Sequence, residues 1–422
     1  MMKFQIYTLG CKVNAYESEV MKEKLLKNGY TYDDVLPDIV IVNTCSVTNV
    51  ADQKSRKMVR HFKKNNDKAI LVVVGCSSFN KQSEYESIGI DILLGNKDKS
   101  HIVEILDNYL KEHKSIVSFE TTRNLPFENM EVDKFTTHTR AYMKIQDGCD
   151  NFCSYCIIPY VRGSIRSKNF DDCLLEARSL VANGHKEIVL TGIHTGSYGT
   201  GTNHDLTDLI HEMSKIEGLL RIRISSIEIT ELNDKFLNEL KENTKICNHL
   251  HIPLQAGSDE ILKLMRRKYT LSEFKEKIKE IRSIRPDISI STDVIVGHPF
   301  ETEELFLTTL ETVKEIKFSK VHVFPYSKRE GTLAARMDMQ IPKSEKARRS
   351  HLLGELSLNL EQDYNKKFIG CILSVLIELD NTGLSSEHIK VHVDEDTPNN
   401  TLVKVLVTDL TLDGVVGHVQ KF

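Results

Sequence analysis

The chain has 422 residues, 40% hydrophobic and 27% charged, the profile of a core-forming globular protein rather than a disordered or fibrous one. Lys and Arg number 56 against 60 Asp and Glu, a net charge of −4, so no global field draws the chain to nucleic acid and any such contact must rest on local patches. No apolar run approaches the roughly 18 residues of a membrane span, and the first seven residues lead straight into a strand-like segment, which argues against spanning and secretion and predicts a cytoplasmic protein.

Over residues 1–116, strand-like and helix-like segments alternate. Residues 4–9, 38–43, 70–74 and 90–94 read as strands, and 15–26, 50–64 and 102–111 as helices, the first of them ended by Asn28-Gly29. This alternation predicts βαβ units around a parallel sheet, a flavodoxin-like α/β domain. Residues 117–134, with Thr121, Thr122 and Pro126, carry no sustained period and read as a linker, and Phe135-Thr136-Thr137-His138 continues that character.

A second alternation occupies residues 135–365. Strands are expected at 141–145, 187–191, 220–225, 249–252, 289–294 and 320–324, and helices at 173–182, 271–284 and 303–316. Six βα units predict a partial (β/α)6 barrel of the TIM type, short of full closure. Residues 341–367 are helical and charged, with Pro342 at the start. In residues 366–422, β-branched runs at 372–379, 388–393, 402–407 and 415–419 are separated by Asn381-Thr382-Gly383, Pro398-Asn399-Asn400 and Asp413-Gly414. They predict a small antiparallel β-barrel.

Nine cysteines in a chain expected to be cytoplasmic point to metal ligation or catalysis rather than disulfides. Three are packed into Cys149-Asp150-Asn151-Phe152-Cys153-Ser154-Tyr155-Cys156, just after the first strand of the second alternation. Three thiolates on one loop can hold three irons of a 4Fe–4S cube and leave the fourth iron open to a small molecule. Structural zinc is the alternative, but closed zinc sites take four ligands and no fourth is evident, since Cys173 falls inside a predicted helix. Cys11, Cys45 and Cys76 each follow a predicted parallel strand. The carboxyl ends of such strands share one edge, so these three thiols are expected to converge. Cys173, Cys247 and Cys371 lack such company and read as packing residues.

The cysteine spacing, with aromatic Tyr155 before its last member, resembles that of radical S-adenosylmethionine enzymes. Asp147-Gly148-Cys149 through Cys156, Pro159, Arg162-Gly163, Thr191-Gly192-Ile193-His194, Arg223-Ile224-Ser225-Ser226-Ile227-Glu228 and His251-Ile252-Pro253-Leu254-Gln255-Ala256-Gly257-Ser258 are similar to the methylthiotransferase family within it. The resemblance runs over nearly the whole chain in that family's order: N-terminal domain, radical domain and a C-terminal TRAM β-barrel.

The resemblance implies a radical 4Fe–4S cluster on Cys149, Cys153 and Cys156 and an auxiliary 4Fe–4S cluster on Cys11, Cys45 and Cys76, each with one free iron. It implies S-adenosylmethionine as radical source and methyl donor, lined by Tyr155, Thr191, Arg223, Glu228 and Gln255, with Phe324-Pro325-Tyr326 near its adenine. An electron donor and a sulfur source are implied as further partners. Val296-Gly297-His298-Pro299-Phe300-Glu301 departs from the family at His298 and Phe300, and Ser77-Ser78 departs after Cys76.

Leu9-Gly10-Cys11-Lys12-Val13-Asn14, Thr195-Gly196-Ser197-Tyr198-Gly199 and Val321-His322-Val323-Phe324-Pro325-Tyr326-Ser327 resemble the branch that methylthiolates N6-threonylcarbamoyladenosine beside the tRNA anticodon. Isopentenyladenosine in tRNA and a ribosomal-protein aspartate are the alternative substrates. A non-catalytic nucleic-acid-binding metalloprotein is the alternative of another class. Three basic groups could contact tRNA phosphates: Lys54, Arg56, Lys57, Arg60, Lys63, Lys64 and Lys68; Arg162, Arg166 and Lys168; and Lys343, Lys346, Arg348 and Arg349. The C-terminal segment from Lys366 is acidic, with five Lys against eight Asp or Glu, the opposite of what an RNA-binding module usually carries.

Overall fold

The computed structural model describes residues 1–119, 125–136 and 138–420. Strands β1 (Lys3–Thr8), β2 (Thr31–Tyr32), β3 (Ile39–Thr44), β4 (Ile70–Gly75), β5 (Ile92–Leu94) and β6 (Ile116–Ser118) form one parallel sheet in the order β2-β1-β3-β4-β5-β6. Residues 39–42 and 71–74 are apolar throughout and buried, as in a parallel sheet covered on both faces. Helix α1 (Lys12–Lys27) follows β1, and α2 (Asn49–Asn65) follows β3. The strand order turns back between β1 and β3, the point at which an open α/β sheet presents a crevice at its carboxyl edge.

The described ends of the expected linker are packed. Ile116–Ser118 joins the sheet beside β5, with Val117 opposite Leu93. Farther on, Met130, Val132 and Phe135 are buried in the apolar core of the barrel together with Tyr16 and Val20 of α1. The Tyr16 hydroxyl donates to the Met130 carbonyl at 2.7 Å. An extended segment that buries scattered side chains against two neighbours has no period of its own, which is why the sequence reads as linker. Thr121, Thr122 and Thr137 lie outside the described residues.

The second unit holds β7 (Ala141–Lys144), a short antiparallel ribbon of β8 (Gln146–Asp147) with β9 (Arg166–Ser167), then β10 (Glu187–Thr191), β11 (Arg221–Ile224), β12 (His249–His251), β13 (Ser289–Val296) and β14 (Lys320–Pro325). Two parallel three-stranded sheets, β7-β10-β11 and β12-β13-β14, are joined where Ile222 N–H donates to Lys245 O at 2.7 Å and Cys247 N–H to Ile222 O at 2.9 Å. The result is the partial barrel expected of six βα units.

The C-terminal strands β15 (Ile372–Leu379), β16 (Thr382–Ser385), β17 (Lys390–Val393), β18 (Leu402–Leu410) and β19 (Val415–Val419) close into a barrel in the order β15-β16-β17-β19-β18. It departs from the expected antiparallel barrel in one pair, because β17 and β19 run parallel where the barrel closes. Strand β16 also begins inside the segment read as a turn. The turn is confined to Asp380 and Asn381, both at positive φ, the two-residue form that suits a tight hairpin. No helix among the described residues is long and apolar enough to cross a membrane.

Candidate active site

Cys11 caps α1 just past β1, Cys45 directly follows β3, and Cys76 opens the short helix α3 (Cys76–Asn80) after β4. Strands β1, β3 and β4 are neighbours, so the three thiols meet at one sheet edge. A Cβ on Gly10 would stand 2.8 Å from Cys45 Cβ and 3.0 Å from its sulfur, which measures how closely the first two turns touch. Asn14 ties them together, its amide donating to Leu9 O at 2.7 Å and Thr44 O at 3.0 Å. Cys11 is exposed, whereas burial reinforced by Cys76 pushes the buried Cys45 thiol up to about 12. Such a pocket disfavours a free thiolate and suits a sulfur whose charge is shared with a metal. The unusual Ser78 closes the Cys76 turn, donating to Gly75 O at 2.6 Å and Leu94 O at 2.5 Å.

Cys149, Cys153 and Cys156 lie on the loop between β8 and the short helix Ile158–Arg162 at the carboxyl end of β7. The loop is pinned by Cys149 N–H to Gly163 O at 3.0 Å, Ser154 N–H to Met265 O at 3.1 Å and Cys156 N–H to Cys153 O at 3.0 Å. Arg267, ion-paired with Glu228, donates from Nη1 to Cys153 Sγ at 3.3 Å. His194 stands 4.0 Å from Cys149 Sγ through Nδ1 and 2.6 Å from Glu231 Oε1 through Nε2. Buried His298 lies beneath the loop, with Nε2 3.3 Å from Ser154 Oγ and its ring against Tyr326. Phe300, the other departure, is exposed.

Among the described residues no three His, Cys, Asp or Glu side chains gather closely enough to hold a single metal ion. A 4Fe–4S cube binds each thiolate at its own corner, and each trio offers three thiols and no fourth. Cys173, the nearest spare cysteine in sequence, is buried and receives the Tyr198 hydroxyl at 3.6 Å.

A cleft of about 690 Å³, open solvent included, is lined by Val47 and Thr48 after Cys45, Tyr155 to Ile158 of the cysteine loop, Gln255, Asp293, Ile295 and residues 324–327. Three of the expected cofactor residues, Tyr155, Gln255 and Tyr326, line it. Gln255 holds a left-handed backbone (φ 66), unusual for a side-chain-bearing residue. Glu228 reaches the site indirectly, through Arg267.

Thr191 and Arg223 do not line the cleft. Thr191 is buried at the end of β10, donating to Val189 O at 3.0 Å. Arg223 is buried on the face of β11 opposite to Ile222 and Ile224, which pack against the helices, and its Nε donates to Glu187 Oε1 at 2.6 Å and Nη2 to Ser385 O of the C-terminal barrel at 3.0 Å. With Arg221, whose Nη1 donates to Leu384 O at 3.0 Å, it docks that barrel. Although burial opposes ionisation of Glu187, the Arg223 guanidinium prevails and holds its carboxyl low. Arg223→Ala leaves buried Glu187 with Arg221 alone, at 3.3 Å, and is expected to destabilise the chain in chemical denaturation by somewhat less than the about 3–5 kcal/mol of a fully stranded carboxylate.

Sequence reading missed the residues that join the two trios. Arg162 is fully buried, with Nε donating to Cys76 Sγ at 3.2 Å, Nη1 to Glu17 Oε1 at 2.9 Å and Asp147 Oδ1 at 3.1 Å, and Nη2 to Asn14 Oδ1 at 2.8 Å. Lys144 pairs with Glu17 at 2.8 Å and Asp147 at 2.7 Å, and Lys99 also pairs with Glu17. Two signals were present: Cys11, Asn14 and Glu17 recur at three-residue spacing on one face of α1, and Arg162 interrupts the apolar run 157–161.

Two of the three basic groups are corrected by this burial. Arg162 and Lys168 are enclosed, Lys168 by Glu176 at 2.7 Å, and Arg166 faces Asp147 at 3.5 Å. Arg349 is buried on Glu301 at 2.7 Å, Arg348 is paired with Glu303 and Glu345, and Lys346 donates to Tyr326 O at 3.1 Å. Apart from Lys343, which is exposed, their charges are satisfied within the fold and offer little to a phosphate. On α2 and just beyond it, by contrast, Lys54, Lys57, Arg60, Lys64 and Lys68 are exposed, while Arg56 is held by Glu84 at 3.0 Å.

Residues 143–313 match the family model described as Radical SAM superfamily, and residues 3–95 match Uncharacterized protein family UPF0004. The chain is 42% identical over 378 residues to Threonylcarbamoyladenosine tRNA methylthiotransferase MtaB of Bacillus subtilis (strain 168), covering 88% of this chain and 84% of that protein. It is 35% identical over 424 residues to tRNA-2-methylthio-N(6)-dimethylallyladenosine synthase of Acetivibrio thermocellus, covering 98% of this chain and 87% of that one. Among solved structures, the radical S-adenosylmethionine methyltransferase TsrM from Kitasatospora setae superposes with a TM-score of 0.57 at 14% identity, covering 77% of this chain and 73% of that one, a likeness of fold.

Proposed function

Since the chain belongs to the radical S-adenosylmethionine tRNA methylthiotransferase family, we propose that it converts N6-threonylcarbamoyladenosine beside a tRNA anticodon to its 2-methylthio derivative, in the cytoplasm, drawing on an electron donor and a sulfur source. The observation that carries this reading is the pair of three-thiol sites, one of which reaches through Cys156 into a cleft also lined by Val47 and Thr48, which follow Cys45 in the chain. Cys149, Cys153 and Cys156 would hold the radical cluster, Cys11, Cys45 and Cys76 the auxiliary cluster, and Tyr155, Gln255 and Tyr326 would bound the S-adenosylmethionine site. When bound, these groups supply the radical, the sulfur and the methyl group, chemistry that acid–base side chains cannot perform on an unactivated carbon–hydrogen bond.

The protein's own part is placement. The β8–β9 ribbon and Gly163 O fix the cysteine loop, Arg267 and Glu228 brace Cys153, and Val47, Ile157 and Ile295 give the cleft apolar walls that limit water. Lys12, beside Cys11, makes no ion pair with the described residues, and burial together with Arg140 and Arg223 lowers it to about 8. A half-buried cation without a salt-bridge partner suits the carboxylate of a threonylcarbamoyl group and gains nothing from a dimethylallyl group. This favours the threonylcarbamoyl substrate, as does the higher identity to the relative that bears that name.

Nucleoside mass spectrometry of tRNA from a deletion strain tests the assignment. Loss of the 2-methylthio form of threonylcarbamoyladenosine, restored by the gene, is expected; its persistence overturns the assignment. The exposed face of α2 would meet tRNA phosphates. Lys57→Ala and Arg60→Ala are each expected to weaken binding uniformly across tRNAs and to lower the slope of log affinity against log salt by about 1.

A further inference from the structure

Each three-cysteine site has one sulfur that receives a guanidinium N–H: Cys153 from Arg267 and Cys76 from Arg162. The two arginines are placed differently. Arg267 is paired within its own domain to Glu228. Arg162 comes from the radical domain and crosses to the other, where it meets Cys76, Asn14 and Glu17 while also bonding Asp147 two residues before Cys149.

The charges around Arg162 do not balance without the sulfur. Three cations, Arg162, Lys144 and Lys99, are directly paired with two carboxylates, Glu17 and Asp147, and all five side chains are at most 6% exposed. Glu128 acts on Lys144 from farther away, its carboxylate occupied by Ser100 N–H at 2.8 Å and Oγ at 2.6 Å. Buried cations are tolerated when each is matched and hydrogen-bonded. The Cys76 sulfur is the remaining acceptor in direct contact, 3.2 Å from Arg162 Nε, and as a cluster ligand it would carry negative charge.

We infer that Arg162 is a positioning residue for the auxiliary site, serving as hydrogen-bond donor and counter-charge to the Cys76 sulfur while Glu17 and Asp147 make that sulfur part of the contact between the two cysteine-bearing domains. This rests on the assignment of a cluster to Cys11, Cys45 and Cys76. A hydrogen bond and a positive charge at a ligating sulfur stabilise the reduced, more negative cluster, so they set its potential as well as its place. Asn96 fixes the turn that carries Arg162, its amide donating to Val161 O at 2.8 Å while its Oδ1 accepts from Lys99 Nζ at 3.4 Å.

The test uses the full-length chain with Cys149→Ala, Cys153→Ala and Cys156→Ala, so that after anaerobic reconstitution one cluster remains and its midpoint potential and EPR spectrum are read alone. In this background Arg162→Gln is expected to shift the potential to more negative values and alter the EPR g-values. Arg162→Lys, which keeps the charge and loses the fork, is expected to give a smaller shift of the same sign. In the complementary chain with Cys11→Ala, Cys45→Ala and Cys76→Ala, Arg162→Gln is expected to leave the radical cluster's potential in place. Unchanged auxiliary potentials in both Arg162 variants overturn the inference even if iron content falls. If the glutamine variant holds no cluster, the lysine variant decides by the same criterion. A parent chain without the radical trio that binds no cluster overturns the inference and the cluster assignment together.

Discussion

Cys156→Ala is expected to remove roughly half of the bound iron and to abolish 5′-deoxyadenosine formation, whereas Cys11→Ala removes the other half, leaves that cleavage intact and eliminates the methylthiolated nucleoside. The asymmetry follows from where the trios stand. Cys156 shares a loop with Tyr155 and borders the cleft directly, while Cys11 stands at a separate sheet edge in another domain. Neither trio has a spare ligand, so one alanine leaves two thiols, too few to retain a cube. Iron and sulfide quantitation with chromatography of the nucleoside products checks both arms. Cleavage surviving in Cys156→Ala, or vanishing in Cys11→Ala with the second cluster intact, would refute the division of labour.

Gly148→Ala is expected to have nearly as large an effect although it leaves every cysteine in place. Gly148 has φ +73, and a Cβ there would stand 2.0 Å from Ser164 O and 2.6 Å from Gly163 O, both rigid backbone atoms. The left-handed conformation alone costs an alanine about 1–3 kcal/mol at a constrained site, and the clash must be relieved by moving one side of the β8–β9 ribbon. The side most free to move is the loop, and with it Cys149, whose N–H is bonded to Gly163 O. The radical cluster should therefore fail to assemble while the auxiliary one persists. Gly75→Ala is the mirror case, its Cβ falling 2.4 Å from Thr44 O and displacing Cys76. Full iron content with normal cleavage in Gly148→Ala would show that the loop tolerates the shift and that the geometry is not limiting.

Local order was legible because its signals are local. The spacing of Cys149, Cys153 and Cys156 lies within eight residues, and the alternation of apolar runs with helical patterns located the strands of both α/β units to within a few residues. Even the meeting of Cys11, Cys45 and Cys76 could be anticipated, since successive parallel strands expose their carboxyl ends at one edge. The packed ends of the aperiodic stretch from residue 116 onward were missed for the complementary reason: their order comes from neighbours, not from a repeat of their own.

The sequence by itself determined which residues can ligate metal and which segments become strands, helices and turns, because backbone propensity, apolar period and ligand chemistry act over a few residues. Only the tertiary structure decided where the charges go. Arg162, Arg166 and Lys168 resemble a phosphate-binding patch in the one-dimensional pattern, yet Arg162 is buried on Glu17, 145 positions away. Arg223 lies near the end of a barrel strand as a cofactor residue would, but, like Arg221 two positions earlier on the same face, it donates to backbone carbonyls of the C-terminal barrel and holds that barrel. Whether a charge meets water, a phosphate or a buried partner depends on what distant segments bring to it, and desolvation makes that meeting energetically decisive.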